Sequence, residues 1–358
     1  MTKALGTERL RRITHRRATR QRRRQPRFST SGPTPGGNRL QWVGLVAVSL
    51  PGLAALAALL FTWMQMGQTN RQLRISEQGQ ITNRYNAAIN NLGSQSIDVR
   101  LGGIYALERI MQDSSRDHPT VVSVLAAFVR QHAPLPASAV KTTRTRPTTH
   151  SPPTDIQGVM NVLAHRRPGL DHGAVVDLSF TDLNGLKTMG AQGHVYFRSA
   201  DLHGANLRGA DLDAADLQGA QLWDADLRSA WMHMADLRRA SLNRAKLTNT
   251  WLCAFGTGCA DLAGADLSDV DMTDMDLAGV NLTGATLSAA NLTGADLTGA
   301  RLVGAYLPNT NLTRANLTNA DLTGAHLSGV KLDGAKLDGT KLKGVHGLPS
   351  QRASRFHR

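Results

Sequence analysis

Residues 204–212 read GANLRGADL, and residues 293–302 read TGADLTGARL. In both, Leu returns every fifth residue, with Ala two positions before it. Followed outward, the period runs almost unbroken from Phe197 to Leu342. Leu fills 26 of those 30 positions, the others being Phe197, Met232, Thr257 and Met272. Two residues earlier, from Val195 to Thr340, Ala fills 21 of 30. Asp or Asn commonly precedes the Leu, and Gly commonly stands two after it. Neither a helix of period 3.6 nor a strand of period 2 keeps every fifth residue on one side. A chain that turns a corner every five residues does. Four such sides close a square coil of twenty residues, with Leu and Ala inside and Gly suited to corners that need unusual backbone angles.

The pattern A(D/N)LXX over residues 195–345 is similar to the consensus of the pentapeptide-repeat family, with DLSFTDL at 177–183 as an out-of-phase first coil. The resemblance implies a right-handed quadrilateral β-helix, a solenoid in which each coil touches only its neighbours and needs caps at its ends. Thirty repeats make about seven and a half coils, roughly 36 Å at ~4.8 Å per coil. The fold class expected is therefore mainly β, preceded by a single transmembrane helix and a small α-helical region. Where Phe255 replaces the small inward residue and Thr257 the large one, the pair of swaps conserves volume and reads as compensated core. Met272 and Met275 read as core fill.

Upstream, the chain divides by composition. Residues 1–40 carry twelve Lys and Arg against Glu8 alone and read as a basic disordered arm. Such an arm suits anionic lipid headgroups, and nucleic acid is its minority partner. From Trp42 to Met64 no residue is charged, which is long enough for one bilayer span within residues 41–66. A buried core helix and a cleaved signal peptide are the alternatives, and FTWMQMGQT offers no small-residue cleavage site. The positive-inside rule then places the N-terminus in the cytoplasm and the repeats outside, although Arg71, Arg74, Arg84 and Arg100 make the far flank mildly basic.

Residues 67–132 read as helices, with apolar faces at Ile81, Tyr85, Ile89 and Leu92, then Leu101, Ile104, Leu107 and Ile110, then Val121, Val124, Leu125 and Phe128. DVRLGGIYALERI is similar to HEAT-like helical hairpins and resembles the region before the repeats in actinobacterial pentapeptide-repeat proteins. That implies a small docking platform. Glu108, Arg109, Asp117 and His118 have no metal-ligand or acid–base spacing and read as a solvated face. Residues 133–153 are a Pro/Thr-rich linker. Residues 154–194 hold a capping helix, from Thr154 to about His165, and a first irregular coil. The repeats fill 195–346, and 347–358 form a basic tail.

Charge is segregated within the repeats: residues 201–280 hold thirteen Asp against six Lys and Arg, and residues 281–358 hold four Asp against nine. Asp261, Asp266, Asp271 and Asp276 fall on four different sides, so the acidic run is not a metal cluster. With residues twenty apart sharing a side, Asp216, Asp236, Asp276 and Asp296 form one acidic column interrupted by Gly256. Trp231 and Trp251, also twenty apart and outward-facing, stack on adjacent coils, with Asp211 and Asp271 flanking them. Exposed paired indoles suit a protein partner or a homodimer.

The NLT triplets at Asn281, Asn291, Asn311 and Asn316 follow from the repeat register and carry little information as glycosylation sequons. Cys253 and Cys259 are too few for a zinc site, and a disulfide between them requires an oxidising compartment. No phosphate loop, nucleophile triad or paired acid–base group is present, and no cofactor or metal is implied. The sequence thus points to a membrane-anchored, non-enzymatic interaction scaffold. A DNA-mimicking, topoisomerase-binding protein is the alternative if the repeats are cytoplasmic.

Overall fold

The computed structural model describes residues 38–136, 151–188, 195–254 and 258–347, the side chains of 38–51, 53, 69–70, 73–74 and 254 excepted. The arm at 1–37, most of the expected linker, Phe255, Gly256, Thr257 and the tail from 348 lie outside the described residues. The chain divides into two compact units, 1–73 and 74–358.

Helix α1 spans Asn38–Leu92, 55 residues. A boundary near residue 66 was expected, but the sequence supplies no stop there. Gly67 and Gly79 stand alone and no proline lies between Gly52 and Gly93, so the helix continues to Leu92. Among the described residues no helix is long and apolar enough to cross a membrane. The side chains of 42–51 and 53, in the first half of the apolar stretch, lie outside the description, and the transmembrane helix at 41–66 is not supported by those that remain.

In the second unit, α2 (Ile97–Asp113), α3 (His118–His132) and α4 (Thr154–Ala164) pack on one another. The apolar periodicity accounts for the buried faces, with Ile104, Leu107, Ile110, Val121, Leu125, Ile156, Val159 and Leu163 all at most 1% exposed. Gly103 lets α2 approach the end of α1, since a Cβ there would stand 2.8 Å from the Ala88 carbonyl oxygen. The Arg100 Nε donates to Asp155 Oδ2 at 2.7 Å, tying α2 to the start of α4.

These helices are the end-wall of the solenoid. The Leu135 amide donates to the Phe180 carbonyl and the Asp182 amide to the Ala133 carbonyl, both at 2.8 Å, so residues 133–135 pair with the first coil instead of beginning a linker. The Tyr196 amide donates to the Ala164 carbonyl at the end of α4. One hydrophobic core runs from Ala88 through the helices to Leu332.

The coils follow from the pentapeptide itself. The inward Ala amide bonds back to the Leu carbonyl three residues before, as from Ala205 to Leu202 at 3.1 Å, and closes each corner. The Leu amide donates to the next coil (Leu202 to the Gln221 carbonyl, 2.8 Å), and the preceding residue donates to the previous one (Gln221 to the Ala200 carbonyl, 2.9 Å). Asp or Asn before the Leu accepts the amide two residues on, as Asp216 Oδ1 does from Gln218 at 3.1 Å. That is an Asx turn, and it explains the residue preference. The second residue after the Leu sits in the left-handed region: Gly204 has φ 64° and Asn249 φ 59°. Parallel bridges join residues twenty apart on four faces, and the first coil pairs at a spacing of twenty-four, as Asp177 does with Asp201.

From Tyr196 onward, the register among the described residues breaks at one place. Asp236 bridges Asp261, twenty-five residues on, and the Ala260 amide bonds to the Leu252 carbonyl at 2.7 Å. The coil passes from Leu252 to Ala260, so one of the thirty repeats is not in the wall. Residues between them leave it as a hairpin of β1 (Cys253–Ala254) and β2 (Gly258–Cys259), antiparallel and closed by a Cys253–Cys259 disulfide. The reading of Phe255 and Thr257 as compensated core lies outside the described residues. Met272 and Met275 are buried, as core fill requires.

Candidate functional site

The five extra residues reassign the faces. The column that begins Asp216, Asp236 continues through Asp261, Asn281 and Arg301. Asp276 and Asp296 do not belong to it, because the inserted hairpin shifts the downstream count by one side. They fall on the fourth face, which runs Lys187, Asp211, Trp231, Trp251, then across the hairpin to Asp276, Asp296 and Asn316. Asp271 lies on the third face with Lys246 and Asn291, so it does not flank the indoles. The single acidic column expected from spacing is therefore two half-columns, and the tryptophans share theirs with Asp276 and Asp296.

The two half-columns differ in electrostatics. Asp236 accepts from Arg238 Nε at 2.7 Å, which holds its carboxyl below the usual 3.8, with burial opposing. Asp216 lies 3.7 Å from Arg198 Nε. On the fourth face no cationic side chain among the described residues comes within salt-bridge distance of Asp211, Asp276 or Asp296. Burial pushes the Asp211 carboxyl above 3.8 and the Asp213 charge adds to this; the bond from the Asp213 amide and the more distant His233 and Lys187 pull it down.

Trp231 and Trp251 are 50% and 54% exposed, with ring centroids 6.0 Å apart and planes tilted by 31°. They form one continuous aromatic surface across two coils. His233 stands edge-on to Trp231, centroids 5.9 Å apart at 89°, and is itself buried. Its backbone amide donates to Asp213 Oδ1 at 2.8 Å, and its Nδ1 lies 3.1 Å from the same oxygen. The imidazole thereby props the indole from one side. Exposed Met234 extends the patch toward the hairpin, its Cγ 3.6 Å from where a Cβ on Gly258 would stand. The disulfide sulfurs abut the Ala278 carbonyl oxygen at 3.5 and 3.1 Å, seating the hairpin on the Asp276 side. The cysteines are thus bonded to each other and part-buried.

Sequence reading missed a second cluster. His118, read as part of a solvated face, is 1% exposed. Its Nε2 lies 3.0 Å from Asp171 Oδ1, and Asp171 also receives Arg166 Nε and Nη2, at 3.0 and 2.9 Å to Oδ2. Arg166 Nη1 donates to the Leu163 and Tyr196 carbonyls. Every polar group has a partner, so the cluster is a rivet between α3, α4 and the first repeat. The stack of Phe180, His203 and Trp223 on the second face was also missed; the twenty-residue spacing of His203 and Trp223 was the available signal.

Chemistry is sparse elsewhere. A cleft of about 380 Å³ beside Tyr85 is lined by Ser114, whose hydroxyl donates to Asp117 Oδ2 at 2.7 Å, but by no histidine, and burial there pushes the Tyr85 hydroxyl up. No group of three metal-ligating side chains exists among the described residues.

No curated protein matches the chain. Among solved structures it is similar to HetL, a pentapeptide repeat protein involved in heterocyst differentiation regulation from the cyanobacterium Nostoc sp. strain PCC 7120. The two are 35% identical over 47% of this chain and 81% of that one, with a TM-score of 0.20. QnrB1, a plasmid-mediated fluoroquinolone resistance protein, is 20% identical over 45% of this chain and 85% of its own, with a TM-score of 0.28. Rfr23, a pentapeptide repeat protein from the cyanobacterium Cyanothece 51142, is 25% identical over 41% and 90%, with a TM-score of 0.13. The family model for pentapeptide repeats matches in eight copies between residues 194 and 346, and its one gap, 255–258, falls where the hairpin leaves the wall. Periodicity, coil geometry and this match agree: the chain belongs to the pentapeptide-repeat family.

Proposed function

We propose that this protein is a non-enzymatic interaction scaffold that docks a partner protein on its fourth face, around Trp231 and Trp251. One observation carries the reading: two half-exposed, neighbouring indoles sit in a column of carboxylates that no Lys or Arg among the described residues approaches within salt-bridge distance. A solenoid gains nothing in stability from leaving indole surface in water, and such patches serve contacts. A photo-crosslinking residue at Met234, compared with one at Asn243 on a different face, tests it. Adducts in cells from Met234 alone are expected; equal adducts from both, or none from either, would overturn the reading.

The Cys253–Cys259 disulfide supports placing the repeats in an oxidising compartment, since such bonds persist outside the reducing cytosol. Non-reducing thiol labelling of protein taken from intact cells checks this; two free thiols would reverse it. The alternative reading, a DNA mimic that binds a topoisomerase, draws on the acidic balance of residues 201–280. Against it, Asp216, Asp224, Asp226 and Asp236 are each paired with an arginine, which breaks the continuous negative potential that mimicry of a phosphate backbone requires.

A further inference from the structure

We infer that the fourth face takes an arginine side chain carried on a segment of the partner, its guanidinium stacked on Trp231 and Trp251 and its in-plane N–H groups directed to Asp211. This rests on the scaffold reading above and names the chemistry of the partner.

Three features select this occupant. The first is shape. The indoles are tilted by only 31° and their centroids are 6.0 Å apart, so they present a shallow surface two coils wide, not a cage around a small cation. A planar guanidinium stacks on such a surface and still donates along its edge, which a compact ammonium cannot do. The second is charge. Asp211 is the bridge partner of Trp231 on the adjacent coil, about one strand spacing away at ~4.8 Å. Asp276 and Asp296 continue the same column beyond the hairpin. A neutral apolar partner would leave these carboxylates desolvated and unpaired, and a nucleic acid would be repelled. The third is unmet demand. On the neighbouring third face Arg228 Nε already binds Asp226 at 2.7 Å, and on the first face Arg238 holds Asp236. Asp211 has no guanidinium partner; Lys187 and His233 act on it only at longer range, against the burial that raises its carboxyl.

The fit also has an edge. The disulfide-closed hairpin stands between Trp251 and Asp276, with Met234 against it, and bounds the aromatic surface on one side. The arginine therefore enters from the Asp211 side. The room available spans the coils of Asp211, Trp231 and Trp251.

The test uses the full chain and three blocked peptides of one sequence, Gly-X-Gly-X-Gly, where X is arginine, lysine or citrulline. Indole fluorescence and calorimetry report binding. The arginine peptide is expected to bind and to perturb indole emission. The lysine peptide should bind about ten-fold more weakly and the citrulline peptide not measurably, since the gain is cation–π plus a charge-assisted bond. Asp211→Asn, a residue type the repeat accepts at this position, should weaken arginine binding about ten-fold, and Trp231→Ala with Trp251→Ala should abolish it. Equal binding of arginine and lysine peptides, or arginine binding unchanged in Asp211→Asn, overturns the assignment. If no peptide binds while crosslinks from Met234 still form, the arginine assignment falls and the scaffold stands. If neither is seen, both fall.

Discussion

Ala260 donates its amide to the carbonyl of Leu252 at 2.7 Å, the bond that elsewhere joins an inward Ala to the Leu three residues before it. Eight positions of sequence occupy one corner of the wall. The five surplus residues are tied off at their base by Cys253–Cys259 and leave the stacked core unperturbed, with Leu252, Ala260 and Leu262 each 1% exposed.

Removing residues 254–258 and replacing Cys259 by Gly rejoins a complete pentapeptide, with Gly at the left-handed corner. This variant should fold, with a loss limited to the disulfide's contribution of about 2 kcal/mol. Removing only 254–256 leaves a surplus of two and should cost several-fold more, read as the urea midpoint of each.

The threonines that interrupt the Ala column are inward and satisfied. Thr310 is fully buried and its hydroxyl donates to the Leu287 carbonyl at 2.6 Å. Thr310→Val keeps the shape and loses the bond, so it should destabilise by about 1 kcal/mol in chemical denaturation.

Asp171 serves both His118 and Arg166 at the junction of helices and coils. Asp171→Ala leaves a buried guanidinium without its counter-charge and should cost about 3–5 kcal/mol. Glu108→Ala, a half-buried α2 side chain whose Oε1 accepts only from Gln112 at 3.3 Å, should stay within about 0.5 kcal/mol.

Asp236 and Asp211 titrate in opposite senses. Arg238 lowers the Asp236 carboxyl, so its stabilisation is present above 3.8 and is lost as pH falls through the folded value. Burial raises Asp211, so the folded state holds the proton more tightly and stability declines as pH rises from 3.8 through the raised value. Asp236→Asn should therefore lower the Tm at neutral pH, and Asp211→Asn should raise it. Both differences should close on acidification, in melts followed by circular dichroism.

The repeats were legible because their period is local: a corner every five residues needs no knowledge of distant partners. The Asx turns at Asp216 and its equivalents belong to the same local logic. What failed was phase and distance. Spacing alone carried the count straight through 253–259, and so put Asp276 under Asp236 and Asp271 beside the indoles. The disulfide explains the error, because a hairpin that leaves the wall is invisible to a sum of fives. His118 was misread for a related reason. Its partner Asp171 is 53 residues away, and no periodicity connects a helix start to a turn after another helix. The membrane span at 41–66 is not supported among the described residues, and its lower boundary was placed too early because nothing in the sequence stops α1 before Leu92.

The helices that wall off the first coil also set an order of events during synthesis. They precede the repeats in the chain, so the surface that receives the first coil exists before that coil leaves the ribosome. Each later coil of twenty residues emerges in roughly 1–4 s at ~5–20 residues per second and finds the edge of its predecessor already waiting. A nascent chain of this kind never holds more than one unpaired turn. It can therefore lengthen by whole coils over evolutionary time without acquiring a new folding problem.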